Sequence, residues 1–177
     1  MSDFITRVIG AAKLETAIYE EVEADTSATL QAGGIVALAS VAAGLGVLVG
    51  GNIRFFIGTM IAALISWVIW AALTWAIGTK LLPEPQTKAD IGQTLRTLGF
   101  AASPGLLRVL AFIPVLGWII VVVANIWMLV AMVVAVRQAL DYNSTGRAVA
   151  VCVIGFIANI IIMAIAHRLF GPLSIPM

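Results

Sequence analysis

The stretch TLGFAASPGLLRVLAFIPVLGWIIVVVANIWMLVAMVVAV, Thr97 to Val136, runs for 40 residues with a single charge, Arg108. As helix, at about 1.5 Å per residue, it would be roughly 60 Å long, twice a hydrocarbon core of about 30 Å. That is too long for one crossing and right for two. Pro114 and Gly117 supply the fold point. Proline removes a backbone donor and turns the preceding residue away from helix, and glycine permits a tight reversal. The expectation is a helical hairpin in an integral membrane protein, a short kinked span followed by a long one ending near Leu140.

Composition points the same way. Apolar residues make up 62% of the 177 and charged residues 11%, against about 45–50% and about 25% in a soluble domain. So apolar a chain reads as one membrane domain, too small for a separate soluble catalytic domain. A net charge of +1 gives no basic field for nucleic acid. Cys152, the one cysteine, excludes a disulfide framework and a multi-cysteine metal site. Residues 1–25 hold six acids and no apolar run, so they do not read as a cleavable signal.

The chain divides into an N-terminal cytoplasmic segment (1–27), a membrane domain (28–170) and an external tail (171–177). In the first segment Phe4, Val8, Ala11, Leu14, Ile18 and Val22 recur at spacings of three and four, which predicts an amphipathic helix over 3–25. Its polar side is acidic, which favours docking on protein over adsorption to anionic lipid. The membrane domain is expected to be all-α, with five spans near 30–49, 55–79, 95–113, 118–140 and 148–167. Ala42, Gly46, Gly50 and Gly155 offer small faces for close helix packing, and Asn125 and Asn159 offer interhelical hydrogen bonds. Trp67 lies too deep for an interfacial anchor and is expected to pack against core or lipid. Thr87 to Asp90 has the form of a capping box opening a short surface helix. Ser103-Pro104 reads either as a fresh helix start or as a kink within the third span, and the kink is preferred.

Lysine and arginine bias sets orientation. Arg7, Lys13, Lys80, Lys88, Arg96, Arg137 and Arg147 fall on one side, Arg54, Arg108 and Arg168 on the other. A re-entrant third segment gives the same ratio, so Arg108 decides: in a full span it sits near the Pro114 turn, within reach of external water. The N-terminus is therefore expected in the cytoplasm and the C-terminus outside, in a bacterial inner membrane. Asn143-Ser144-Thr145 then lies on the cytoplasmic side and is not read as a glycosylation site.

No catalytic constellation is visible. The chain has one histidine, one cysteine and no acid within a span, and no HExxH, Walker loop, GxSxG or GxGxxG. His167, at the end of the fifth span, is a weak cofactor candidate, and no metal or cofactor is expected. Arg108 is the one intramembrane charge, a functional candidate by position.

The segments LRTLGFAASPGLLRVLAFIPVLGWII (95–120) and IWMLVAMVVAVRQALDYNSTGRA (126–148) resemble the Ypt-interacting-protein (Yip) domain family in its bacterial branch. The matching features are Ser103-Pro104, the Ile113-Pro114/Gly117 turn, Trp127-x-Leu129 and Thr145-Gly146-Arg147-Ala148. The resemblance implies five helices, a cytosolic N-terminus and an external C-terminus. Eukaryotic members bind small GTPases in vesicle traffic, but no GTPase-binding surface is recognisable in these residues. The first functional expectation is a non-enzymatic scaffold or accessory subunit that packs against transmembrane proteins of a larger complex, such as a respiratory or photosynthetic one, or against itself. A small oligomeric transporter or channel lined by Arg108, Asn125 and Asn159 is the second, and a Yip-like membrane-organising or trafficking factor the third.

Overall fold

Segments that are apolar on every side form long helices, because in lipid only a helix satisfies its own backbone groups. The computed structural model describes residues 2–48 and 53–170, without the side chains of 45–48, 55, 163, 166, 167, 169 and 170. Its elements are α1 (Phe4–Ala12), α2 (Thr16–Ala24), α3 (Ala28–Leu48), α4 (Ile53–Ala76, continued by a π turn to Leu81), α5 (Ile91–Phe100), a 3-10 helix (Ser103–Phe112), α6 (Gly117–Ala139) and α7 (Thr145–Phe170). No strand occurs among the described residues. Phe56–Leu81, Gly117–Ala139 and Thr145–Ile162 are each long and apolar enough to cross a membrane, and Ala28–Gly44 of α3 is a shorter apolar helix.

The leader is not one helix over 3–25 but a helical hairpin. The Asp3 carboxylate caps α1 by accepting from the Thr6 N–H at 2.7 Å. Leu14 then adopts φ 65°, a left-handed conformation costing roughly 1–2 kcal/mol, and the chain reverses into α2. A continuous helix would have carried Glu15 into the apolar stripe. The break leaves Glu15 exposed and brings Ala11, Ile18, Tyr19 and Val22 onto one buried surface. There the Tyr19 hydroxyl donates to the Ala11 carbonyl at 3.0 Å. The protein surface on which the leader docks is the chain's own, α2 lying against α5 and α6.

The third segment also differs from the expected single kinked helix over 95–113. α5 ends at Phe100, Ala101-Ala102 form a turn, and Ser103–Phe112 is 3-10 helix with Pro104 near its start. The Ser103 hydroxyl donates back to the Phe100 carbonyl at 2.7 Å across the junction. A 3-10 helix rises about 2.0 Å per residue, so its ten residues cover about 20 Å, more than an α-helix of that length would. The capping box lies three residues beyond the expected Thr87–Asp90. Asp90 and Gln93 exchange side-chain and backbone hydrogen bonds, both 2.7 Å. Thr87 is unavailable because its hydroxyl accepts from the Glu84 N–H at 3.0 Å, closing the preceding turn.

The expected reversal at Pro114 is present. Val115 has φ 67° and the Gly117 N–H returns to the Ile113 carbonyl at 2.9 Å. A Cβ on Gly117 would collide with the Ala111 carbonyl, so the turn requires glycine. Gly99 serves a close approach: a Cβ there would lie 2.6 Å from Ala32 Cβ and 3.0 Å from its Cα. Ala28, Ala32, Ala39 and Ala42 are buried, so the described part of the small-residue face of α3 packs within the chain, against α5 and the 3-10 helix. The surroundings of Gly46, the whole of Gly50 and the tail 171–177 lie outside what is described.

Burial is uneven along the long helices. Ala71 and Ile77 of α4, Ala131 to Leu140 around the end of α6, and Ala148 and Val151 of α7 join α1, α2, α3 and α5 in one apolar core. The opposite halves of α4, α6 and α7 carry most of the exposed large apolar residues, Ile57 to Ile69, Trp118 to Val130 and Val153 to Ile165. The molecule thus has a packed head at the end bearing the N-terminal hairpin, and apolar shafts leading away from it.

Candidate functional site

Two places gather polar chemistry. The first is the head. Arg7 is 2% exposed, and its guanidinium donates to Glu21 (2.9 and 3.2 Å), Asp25 (2.8 Å) and Gln31 (3.1 Å). It therefore ties α1 to α2, to the link after α2 and to the first turns of α3. Burial opposes its charge, yet the hydrogen bonds to Glu21 and Asp25 outweigh that and hold its pKa above the ordinary value. Hydrogen bonds from Ser2 and Arg7 pull the Glu21 carboxyl down to about 2. The Arg96 guanidinium on α5 caps the end of α2 by donating to the Val22 and Glu23 carbonyls. Two contacts to α6 complete the clamp: Trp127 Nε1 donates to the Ala12 carbonyl at 2.7 Å, and Gln138 Nε2 to Glu20 at 2.9 Å.

Beside this clamp is a polar cavity of about 430 Å³ whose lining includes Glu20, Glu23, Gln93, Arg137, Asp141 and Asn143. Burial, then the neighbouring Asp141, pushes the Glu23 carboxyl up to about 7. Its floor is pinned by Tyr142, whose hydroxyl donates to the carbonyls of Gly78 (3.0 Å) and Leu82 (2.7 Å). Arg147 bonds the Pro83 carbonyl at 2.8 Å and faces Glu84 at 3.4 Å, so the two loops of this end are stitched together.

The second place is a cleft of about 390 Å³ between α3, α4, the 3-10 helix and α6. Small residues line it, among them Ala39, Ser40, Ala43 and Gly44, with Thr59 and Ala63 opposite and Arg108 and Met128 at one wall. Arg108 does not extend towards the Pro114 turn, as the expected snorkelling would have it. Its guanidinium folds back along the 3-10 helix, Nε donating to the Gly105 carbonyl at 3.2 Å and Nη2 to Met128 Sδ at 3.3 Å. A three-residue repeat stacks residue 108 over residue 105, and glycine leaves room for the guanidinium as placed: a Cβ on Gly105 would lie 2.8 Å from Nη2 and displace it.

The other candidate residues are not drawn to Arg108. Asn125 is exposed on the outer face of α6. Asn159 lines a separate apolar groove of about 470 Å³ with Trp70, Cys152 and Phe156. Trp70 Nε1 is buried beside it without a hydrogen-bond partner among the described residues. Gly155 is where α7 meets the Trp70 ring, which a Cβ at this position would approach to 3.3 Å. Trp67 packs on the core, its Nε1 donating to the Leu95 carbonyl at 3.0 Å. The side chain of His167 lies outside the described residues. Among the described residues, no group of three or more His, Cys, Asp or Glu is placed to hold a metal ion. Sequence reasoning used Arg7 and Arg96 for orientation and Trp127 for the family resemblance, and gave none of them a place in the clamp of the head. Arg7 carried one signal, a lone arginine near six acids in a segment with an apolar stripe.

The profile of the Yip1 domain matches residues 16–166, most of the chain. The chain belongs to the Yip1 domain family. No curated protein and no solved structure matches it. The match agrees with the resemblance carried by the Ser103-Pro104 junction, the Pro114 turn and Trp127, and with a membrane protein built on long apolar helices. In this Yip1 domain the matched region opens at Thr16, the first residue of α2. α1 and its buried Arg7 therefore precede the matched region.

Proposed function

We propose that this Yip1 domain protein is a non-enzymatic, five-span membrane protein that works by lateral association, as a scaffold or accessory subunit beside other transmembrane proteins. The observation that carries this reading is Asn125. It is exposed on α6 among Val122, Ile126 and Leu129, and its amide bonds no other described residue. At about 1.5 Å per residue it lies roughly 12 Å from the Gly117 end and 21 Å from the Ala139 end, too deep for a short amide to reach either interface. Lipid tails offer it nothing, whereas a polar group on a neighbouring helix satisfies it, at about 0.6 and up to about 1.7 kcal/mol per hydrogen bond. α4 adds a bare flank: 6% of its most apolar stretch is buried within the chain, against 22% for α6.

Five spans follow if the third segment crosses with α3. Gly99 meets Ala32 and Gly105 meets Ala39, so the two run side by side in the same direction. From Thr97 to Phe112 the path is about 26–30 Å, the thickness of a hydrocarbon core. The head, with Arg7, Lys13, Lys80, Lys88, Arg96, Arg137 and Arg147, then faces the cytoplasm of a bacterial cell by the positive-inside bias. Extraction of native membranes in mild detergent tests the reading. Wild-type chain should migrate on a native gel with a transmembrane partner in fixed ratio, and Asn125→Leu should release it. Migration of both as the same small particle would reject lateral association.

A further inference from the structure

We infer that the cleft beside Arg108 is a binding site for one anionic phospholipid, its phosphate held by the guanidinium and an acyl chain lying along α3 and α4. The inference starts from charge. All nine acidic side chains of the chain are Asp3, Glu15, Glu20, Glu21, Glu23, Asp25, Glu84, Asp90 and Asp141. Every one lies in the N-terminal hairpin or in the two loops of the head, none in α3, α4, the 3-10 helix or α6. Among the described residues Arg108 thus has no carboxylate partner, and its two hydrogen bonds there go to a neutral carbonyl and a thioether. A guanidinium carries five N–H donors, so three remain unmatched among the described residues on a side chain that lines the cleft. An unpaired cation at this depth is costly, and an anion in the cleft relieves the cost.

The shape of the cleft selects the anion. Its volume of about 390 Å³ falls in the range of small-molecule sites, about 300–1,000 Å³, and is too small for a partner helix. Apart from Arg108, Ser40 and Thr59 its walls are apolar, and those two hydroxyls donate to their own helices, at Ala37 and Phe56, leaving their oxygens as weak acceptors. One strong cationic focus on a long apolar wall fits an anionic headgroup joined to a hydrocarbon chain. A fully hydrated free anion would gain nothing from the wall. The inference needs the cleft to lie within the bilayer, as the five-span reading has it, but not a partner on α6.

Native mass spectrometry of the full chain tests it, after reconstitution in phosphatidylcholine containing a minority of phosphatidylglycerol and re-extraction in detergent. One phosphatidylglycerol should remain on each wild-type chain. Arg108→Gln should lower its retention about tenfold or more, the loss of one charge-assisted contact. Arg108→Lys should keep most of it. Gly105→Ala, which displaces the guanidinium with the charge intact, should lower it too. Arg54→Gln, at an exposed cation outside the cleft, should change nothing. Equal retention of both lipids, unaltered retention in Arg108→Gln, or displacement of the lipid by millimolar inorganic phosphate would overturn the inference. So would a carboxylate of a co-purifying protein cross-linked at Arg108 in place of lipid.

Discussion

Replacing Arg7 by methionine should release the N-terminal hairpin while leaving the rest of the bundle folded. Methionine fills much of the same volume without charge or donors. The guanidinium is 2% exposed and bonds Glu21, Asp25 and Gln31 at 2.8–3.2 Å. Removing one partner of a fully buried pair costs about 3–5 kcal/mol, because the other charge is left unpaired. Here the carboxylates are less confined, Glu21 being 26% and Asp25 10% exposed, and each keeps a hydrogen bond from a serine, Ser2 or Ser27. The cost should therefore be smaller, about 2–4 kcal/mol. At about 1.4 kcal/mol per decade, that is a loss of about 1.5 to 3 decades in the opening equilibrium of the hairpin. Amide hydrogen exchange in proteoliposomes reads it directly. Protection of residues 4–24 should fall by that factor in Arg7→Met, with α6 and α7 changed far less. Exchange in the hairpin equal to wild type would refute the view that Arg7 holds it down.

Three further outcomes follow from the packing. Gly99→Val should push α5 off α3, because Ala32 backbone as well as its side chain blocks the new group; thermal unfolding in detergent should show a loss of about 1–3 kcal/mol. Tyr142→Phe should cost about 1–2 kcal/mol, leaving the Gly78 and Leu82 carbonyls without their donor, and should raise proteolysis in the 82–90 loop. Glu23 sets a pH dependence. Its pKa is raised in the folded state to about 7, so its contribution is fully favourable below the ordinary carboxyl value of about 4.3 and is lost as pH rises through 7. Hairpin protection should fall by about 1 kcal/mol between about pH 5 and 8, after discounting for the water that reaches the group, and Glu23→Gln should flatten the profile.

The long helices were legible because length and uniform apolarity leave an uncharged stretch such as 118–136 no soluble alternative. The Pro114 reversal was legible for a local reason, proline and glycine three residues apart. What could not be read was decided by distant contacts. Periodicity from Phe4 to Val22 suits one helix, and the break at Leu14 emerges only once Ala12 meets Trp127 and Arg7 meets Gln31. The 3-10 form of 103–112 has no strong local signature beyond Pro104; the segment is packed between α3 and α6, which local sequence does not reveal. Arg108 was found as a lone charge, but its direction depends on Gly105 leaving space beneath it. Asn125, Asn159 and Arg108 looked like one set in the sequence because each is polar in an apolar run, and helix phase sends each to a different place.

Photo-cross-linking in intact membranes tests lateral association most directly. A cross-linking residue at Val122, one turn from Asn125 on the exposed face of α6, is compared with one at Val133, half-buried in the head. Association through α6 requires a discrete protein adduct from position 122, reduced by Asn125→Leu, and none of that product from position 133. Lipid adducts alone at position 122, in membranes where the chain is at its native level, would contradict it.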